Sequence, residues 1–167
     1  MTRRLQGWLV AVTVTALTVL LSGCQSSEPT GFAEDSGMTV CAAPAAGDEV
    51  AFGETFSIPA DTRVVIEDVE IEQSGVSISG IVALPPAADG SLLGSADVPL
   101  DPALWAQRTE LDGAAFEGEQ LVNVVVIASR DGEADGTMTD LRVAYTINGQ
   151  LFADTSRATF QLKASCD

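Results

Sequence analysis

Apolar and polar residues alternate along much of residues 38–167, and this period of two is typical of strands with one buried face. In Thr137–Ile147, the apolar residues Leu141, Val143 and Tyr145 alternate with polar ones. Leu121–Ala128 is instead a nearly continuous β-branched run, which favours a central strand. Further strands are predicted at Thr39–Cys41, Val50–Ile58 (broken by Gly53), Val64–Glu72, Gly75–Leu84 and Thr159–Lys163.

Asn148-Gly149 is the strongest turn signal in the chain, because both residues accept the positive φ angles of a two-residue hairpin. Such a turn would place Tyr145 opposite Phe152. We therefore expect an inward-facing aromatic pair across the two strands.

Two other strands carry information about which face each side chain takes. The alternation of Val64–Glu72 changes phase near Glu67-Asp68, which predicts a β-bulge there. On Gly75–Leu84 the pattern predicts one shared apolar face, formed by Val76, Ile78, Val82 and Leu84.

Residues 85–119 lack a clear period, although a structureless loop of this length is unusual in a compact domain. Asp101 can cap a helix and Pro102 suits its first position, so we expect one or two helical turns there. Trp105 would pack over the end of the sheets as part of the core; the alternative is an exposed anchor for a partner.

Together these elements amount to about seven or eight strands with turns between them and no long amphipathic helix. This arrangement predicts an all-β fold, an immunoglobulin-like antiparallel β-sandwich over residues 37–167.

The first residues follow a different pattern. Arg3 and Arg4 precede an uncharged apolar run, Trp8–Leu21, which is short for a membrane-spanning helix and typical of a secretory signal. The run ends in Leu21-Ser22-Gly23-Cys24, which resembles the lipobox of bacterial lipoproteins at all four positions.

The resemblance implies that residues 1–23 are removed and that the thiol of Cys24 carries a diacylglyceryl group. The chain would then be anchored at the outer face of the cytoplasmic membrane. Two acyl chains would bury on the order of thirty methylenes at ~0.8 kcal/mol each, enough for a firm anchor. The alternatives are an uncleaved signal anchor or plain secretion. The polar stretch that follows, residues 24–36, is expected to be a flexible, solvated tether.

Charge and composition exclude several classes of function. The formal net charge is −16, which argues against nucleic-acid binding and against close approach to an anionic lipid surface. The chain has no histidine, so Ser-His-Asp and Cys-His catalysis, histidine zinc sites and blue-copper sites are ruled out.

Three cysteines are present, and Cys24 is assigned to lipid. In an oxidising compartment, Cys41 and Cys166 are expected to form a disulfide; the alternative is two free thiols. Neither has a CxxC partner, so a redox role has little support.

A second resemblance concerns the C-terminal half of the chain, which is similar to small uncharacterised surface proteins of actinobacteria. That class implies no activity for this chain. The residues that carry the resemblance are Asp101, Pro102, Trp105, Arg108, Ala134-Asp135-Gly136, Tyr145, Gly149 and Phe152.

Asp131, Glu133 and Asp135 alternate along a glycine-containing loop, as in the first half of calcium-binding loops. The twelfth position is Arg142 where an EF-hand has glutamate, so a complete EF-hand is excluded. A calcium site and a plain solvated hairpin loop are the two readings of this stretch.

Three functional hypotheses follow. The first is a cell-surface lipoprotein whose sandwich is a binding module for another envelope protein, and the second is a lipoprotein that binds a ligand or cation through loop 85–119 or loop 131–136. The third is a histidine-free enzyme. An exposed apolar patch would favour the first, and a deep pocket with convergent polar groups would favour the second or third.

Overall fold

The computed structural model describes residues 30–32 and 37–166. These residues form two six-stranded sheets and one short helix, and the two sheets pack face to face. The elements are β1 (Gly31–Phe32), β2 (Thr39–Ala42), β3 (Glu49–Ile58), β4 (Arg63–Ser74), β5 (Val76–Leu84), β6 (Ser95–Asp97), α1 (Pro102–Trp105), β7 (Thr109–Glu110), β8 (Ala115–Glu117), β9 (Gln120–Arg130), β10 (Gly136–Ile147), β11 (Gln150–Thr155) and β12 (Thr159–Leu162).

The order of the strands confirms the predicted immunoglobulin-like β-sandwich. In the first sheet, here sheet A, the order is β1-β3-β9-β5-β7, and β6 also pairs with β3. In sheet B the order is β2-β12-β10-β4-β8, and β11 also pairs with β10. The order β1-β3-β9-β5 corresponds to strands A, B, E and D of an immunoglobulin domain, and β4-β10-β12 corresponds to C, F and G.

The main core lies between the two sheets and is rich in aromatic side chains. Phe52 of β3 packs against Phe160 of β12, with ring centroids 5.1 Å apart. Phe56 of β3 meets Tyr145 of β10 edge-on at 5.3 Å. These contacts join the sheets because each pairs a sheet A residue with a sheet B residue.

Two of the predicted local features are confirmed. Asn148 and Gly149 both have positive φ, and the hairpin pairs Tyr145 with Phe152, whose rings stack at 5.8 Å. The pair is not inward-facing as a whole, however, because Tyr145 is buried whereas Phe152 is exposed on the largely solvent-facing strand β11. The bulge at Glu67 is also present, because the pairing of β4 with β10 shifts there.

The predicted common face on β5 is wrong. A register shift between Ile78 and Gly80 leaves Ser79 as an extra residue, so the alternation changes phase there. Val76 and Ile78 therefore face the main core, whereas Val82 and Leu84 face the opposite side of sheet A.

The predicted break at Gly53 is also absent, since β3 runs through it without interruption. Gly53 lies directly beneath the backbone carbonyl of Leu93, where a Cβ atom would collide with that carbonyl and with the amide oxygen of Asn123. The glycine thus permits the close approach of a covering segment.

The expectation of a solvated tether over residues 24–36 is wrong for Gly31 and Phe32. These two residues pair with Ser57 and Phe56 of β3, and Phe32 is buried against the Phe56 ring. The backbone N–H of Phe32 also donates to the Asp154 carboxylate at 2.7 Å. Packing of the Phe32 ring outweighs the polar composition around it. Apart from Thr30, the rest of the predicted tether lies outside the described residues, as do the signal peptide and Cys24.

The outer face of sheet A is covered by a third layer, the segment 93–105. This segment crosses the sheet near Asn123, whose amide nitrogen donates to the Leu93 carbonyl at 3.0 Å, and then pairs with the edge of β3 as β6. It returns across the sheet through Leu100 and α1. Trp105 packs in this layer, on the outer face of sheet A, and not over the end of the sheets as predicted.

The predicted disulfide between Cys41 and Cys166 is confirmed, with a Cα–Cα distance of 5.9 Å. Cys41 lies on β2, which pairs in parallel with β12, and Cys166 follows β12. The bridge therefore links the edge strand β2 of sheet B to the segment that follows its neighbour β12, across a sequence separation of 125 residues.

Because the bridge closes almost the whole domain, Cys41→Ser should lower the free energy of unfolding by roughly 2–5 kcal/mol. Thermal unfolding under oxidising conditions should show a lower Tm for the variant than for the unmodified protein. With reductant, the two proteins should unfold at similar temperatures. An unmodified protein whose Tm is the same with and without reductant would contradict a stabilising bridge.

Candidate functional site

A cleft of about 490 Å³ opens on the outer face of sheet A, between the third layer and the β5–β7 edge. This volume lies within the range of small-molecule sites in proteins. Its lining combines an apolar floor with charged residues, and we call it the sheet A cleft. The lining residues are Glu49, Ser79, Gly80, Val82, Val98, Pro99, Leu100, Trp105, Arg108, Glu110 and Ile127.

One wall of the cleft is held in place by α1 and its cap. The Asp101 carboxylate accepts hydrogen bonds from the backbone N–H groups of Ala103 at 2.8 Å and Leu104 at 3.1 Å. Pro102 occupies the first helical position, as predicted. This cap follows the bend at Val98–Pro99 and turns Trp105 onto the sheet.

The floor of the cleft is open because of Gly80. After the Ser79 bulge, Gly80 occupies a position on the outer face of β5, and its φ is not in the positive region. A Cβ atom there would meet only Cδ1 of Ile127, at an ordinary contact distance of 3.9 Å. A larger residue at this position would therefore project into the cleft without straining the backbone.

Trp105, Arg108 and Glu110 form a connected group on the β7 side of the cleft. The Arg108 guanidinium lies over the Trp105 ring, 4.7 Å from its centroid, as in a cation–π contact. Arg108 also donates to the Trp105 carbonyl at 3.3 Å and lies 3.9 Å from a carboxylate oxygen of Glu110. The positive charge of Arg108 is thus already partnered within the protein.

Glu49 supplies the charge on the opposite side. It begins β3 and faces outward with Ala51, and its backbone carbonyl accepts from the N–H of Val98 at 3.1 Å. Within the described ranges 30–32 and 37–166, its carboxylate has no ion-pair partner. The Ser79 hydroxyl donates to the Ile127 carbonyl at 3.4 Å.

The structure does not bring the carboxylates of Asp131, Glu133 and Asp135 together. The Ser77 hydroxyl donates to Asp131 at 2.6 Å, whereas Asp135 accepts from the Ala164 N–H at 3.4 Å, toward the C-terminal segment. No group of three potential metal ligands occurs among residues 30–32 and 37–166. Within those ranges the three carboxylates of loop 131–136 therefore form no shared group for a cation, and the Asp131 and Asp135 carboxylates are bonded to different segments.

Sequence reasoning singled out Trp105 and Arg108 of the cleft but not Glu49, Gly80 or Glu110. The Asp101-to-Arg108 motif was the signal for the first two. Gly80 could have been found from the sequence, because an isolated glycine inside a strand pattern often marks a bulge.

A second concavity of about 520 Å³ lies near the other end of β5. Pro85, Pro86, Phe116 and Leu121 contribute to it, and no charged side chain lines it. Its polar side chains, Gln107, Thr109 and Gln120, are uncharged, so it offers no charged group to orient a ligand, and the sheet A cleft is the better candidate site.

The chain matches no protein-family model and no curated protein sequence. Among the described residues, no helix is long and apolar enough to cross a membrane.

Glu54 is a carboxylate on the inner face of β3, between Phe52 and Phe56, and only 7% of its surface is exposed. Burial raises the pKa of Glu54 above its usual value, and hydrogen bonds from the Ser156 hydroxyl and the Thr55 backbone oppose that rise. The Ser156 hydroxyl also accepts from the Ala158 N–H at 3.0 Å, so it links Glu54 to the β11–β12 connection.

The raised pKa makes domain stability depend on pH. The folded state binds the Glu54 proton more tightly than the unfolded state, so this stabilisation is complete below about pH 4.5 and is lost as pH rises through the folded pKa. Glu54→Gln should therefore raise Tm at pH 7.5 and change it much less at pH 4. The exposed Glu72→Gln, on β4, is the matched control, and its change in Tm should be the same at pH 4 and at pH 7.5. If Glu54→Gln changes Tm equally at pH 4 and at pH 7.5, burial of the Glu54 carboxylate is not the source of the pH dependence.

Proposed function

We propose that this protein is a lipid-anchored, extracytoplasmic binding protein of the cell envelope, and that the sheet A cleft is its ligand site. The observation that carries the proposal is the cleft itself, where an apolar floor meets the charged groups of Glu49, Arg108 and Glu110. This combination of an apolar surface with a few polar groups is typical of sites that bind small molecules.

The covering layer supports the proposal because it positions the cleft precisely. The floor belongs to strands β5 and β9, which lie within sheet A, and the wall is a capped helix. Side chains held on such elements need little reorganisation when a ligand enters, so less of the binding free energy is lost to ordering.

The alternative of a protein-interaction surface has weaker support in the fold. The large apolar residues that are exposed lie on β11, on β9 and before β2, and therefore belong to both sheets. Within β11, Leu151 and Phe152 are adjacent and point to opposite faces. They form no single apolar face of the kind that marks an interface.

Catalysis has no support from the cleft either. Ser79 is the hydroxyl residue in its lining, and that hydroxyl is bonded to a backbone carbonyl, so it is not arranged as a nucleophile. We therefore propose binding without chemistry.

The lipid anchor rests on the lipobox resemblance at Cys24. Cys24→Ala should shift the protein from the membrane fraction to the soluble fraction, because two acyl chains supply the firm attachment. Cell fractionation with immunoblotting gives the distribution, and Cys41→Ser, which leaves Cys24 intact, is the matched control. Unchanged membrane association of Cys24→Ala would overturn lipid anchoring.

The ligand site can be tested with Gly80→Leu, which should fill the cleft and abolish binding. The probe is 1-adamantanol, a compact neutral apolar molecule, and the readout is the ¹⁹F NMR signal of 5-fluorotryptophan at Trp105. Trp105 is the sole label when the full chain carries Trp8→Phe, because the sequence has two tryptophans. The measurement is made in lipid nanodiscs.

The matched control is Gly94→Leu, since Gly94 also has no positive φ and a Cβ atom there meets nothing within 4 Å. Gly94 does not line the cleft, so this variant should keep the Trp105 response. Equal responses from the two leucine variants, or no response of the unmodified cleft to any adamantyl compound, would overturn the cleft as a ligand site.

A further inference from the structure

The chemistry of the sheet A cleft points to a class of ligand. Resting on the proposed function, we infer that the cleft binds a molecule with an apolar body and a cationic amine or guanidinium group, which Glu49 recognises. The floor of Val82 and Ile127, together with Leu100 of the third layer, would receive the apolar body.

The sign of the charge follows from how the three charged residues are paired. Arg108 has two partners inside the protein, the Trp105 ring at 4.7 Å and the Glu110 carboxylate at 3.9 Å. An anionic ligand would have to compete with Glu110 for this guanidinium. Glu49 has no such partner within the described ranges, so its carboxylate is available to a cation.

Glu49 is also partly sheltered, which strengthens its interaction with a ligand. It is half-buried at the start of β3, whereas the side chain of Glu110 is 76% exposed. A charge pair that is partly withdrawn from water is screened less than one at the surface. The selective contact is therefore expected at Glu49, and the Arg108–Glu110 pair would contribute less.

The Trp105 ring argues against a sugar ligand. Recognition of sugars by stacking requires an open aromatic face, but the Arg108 guanidinium covers one face of the indole. Trp105 also packs against the apolar cluster of the third layer. The indole thus serves as part of the wall, and an apolar body can lie against its remaining edge.

The charge of the whole chain favours the same class. The sequence has 24 acidic and 8 basic residues, for a formal net charge of −16. A field of this sign raises the local concentration of cations near a cleft and lowers that of anions. Local pairing and the long-range field therefore favour a cationic ligand.

The test compares three probes that share one apolar body and differ only in the charge of the head group. They are 1-adamantylammonium, 1-adamantanol and 1-adamantanecarboxylate. Each is titrated against the full chain carrying Trp8→Phe in nanodiscs of zwitterionic lipid, with the ¹⁹F signal of 5-fluorotryptophan at Trp105 as the readout. Nanodiscs without protein correct for uptake of each probe by lipid.

The ammonium probe should bind about two- to fivefold more tightly than the neutral alcohol, as expected for one partly exposed charge pair. The carboxylate should bind more weakly than the alcohol. In Glu49→Gln, the advantage of the ammonium probe over the alcohol should disappear. In 0.5 M NaCl the advantage should shrink, because salt screens the pair.

Equal binding of the three probes would overturn the cationic class and leave the cleft as a ligand site. An ammonium preference that survives in Glu49→Gln would overturn the role of Glu49. If none of the three probes changes the Trp105 signal, both the cationic class and the proposed function are wrong. The exposed Glu72→Gln variant is the charge-matched control and should retain the full preference.

Discussion

Strand β9 buries both of its faces, and this constraint determines how the rest of the domain is built. Val122, Val124 and Val126 face the main core, whereas Val125 and Ile127 point the other way. An ordinary two-layer sandwich would leave the second set in water. The segment 93–105 crosses the outer face of sheet A and so shields these apolar side chains from water. The cleft forms where this segment leaves the face uncovered.

The sequence predicted the elements that depend on neighbouring residues. The hairpin at Asn148-Gly149, the bulge at Glu67 and the cap at Asp101 each arise from local backbone preferences, and all three are present. The disulfide could be predicted as well, since Cys41 and Cys166 remained once Cys24 was assigned to lipid. The continuous apolar run of Leu121–Ala128 indicated a central strand, and β9 does lie in the middle of sheet A.

The path of residues 85–110 could not be predicted from the sequence. Their fold depends on contacts between distant strands, such as the pairing of β6 with β3 and of β7 with β5. The bulge at Ser79 was also missed, because an alternating pattern with one extra residue can be fitted to a single face. The cleft depends on both features, so its residues were only partly predicted. The calcium loop was proposed from the spacing of its carboxylates, which the fold does not bring together.

The joining of β2 to β12 has a mechanical consequence. A pull on the chain ahead of Thr30 would first load the two-residue pairing of β1 with β3 and the buried Phe32 side chain. The load would then reach β2, which lies parallel to β12 and is tied to the end of the chain through Cys41 and Cys166. If the chain is also held beyond Cys166, the Cys41–Cys166 bond transmits this tension directly. The strands between these two cysteines in sequence then carry little of the load.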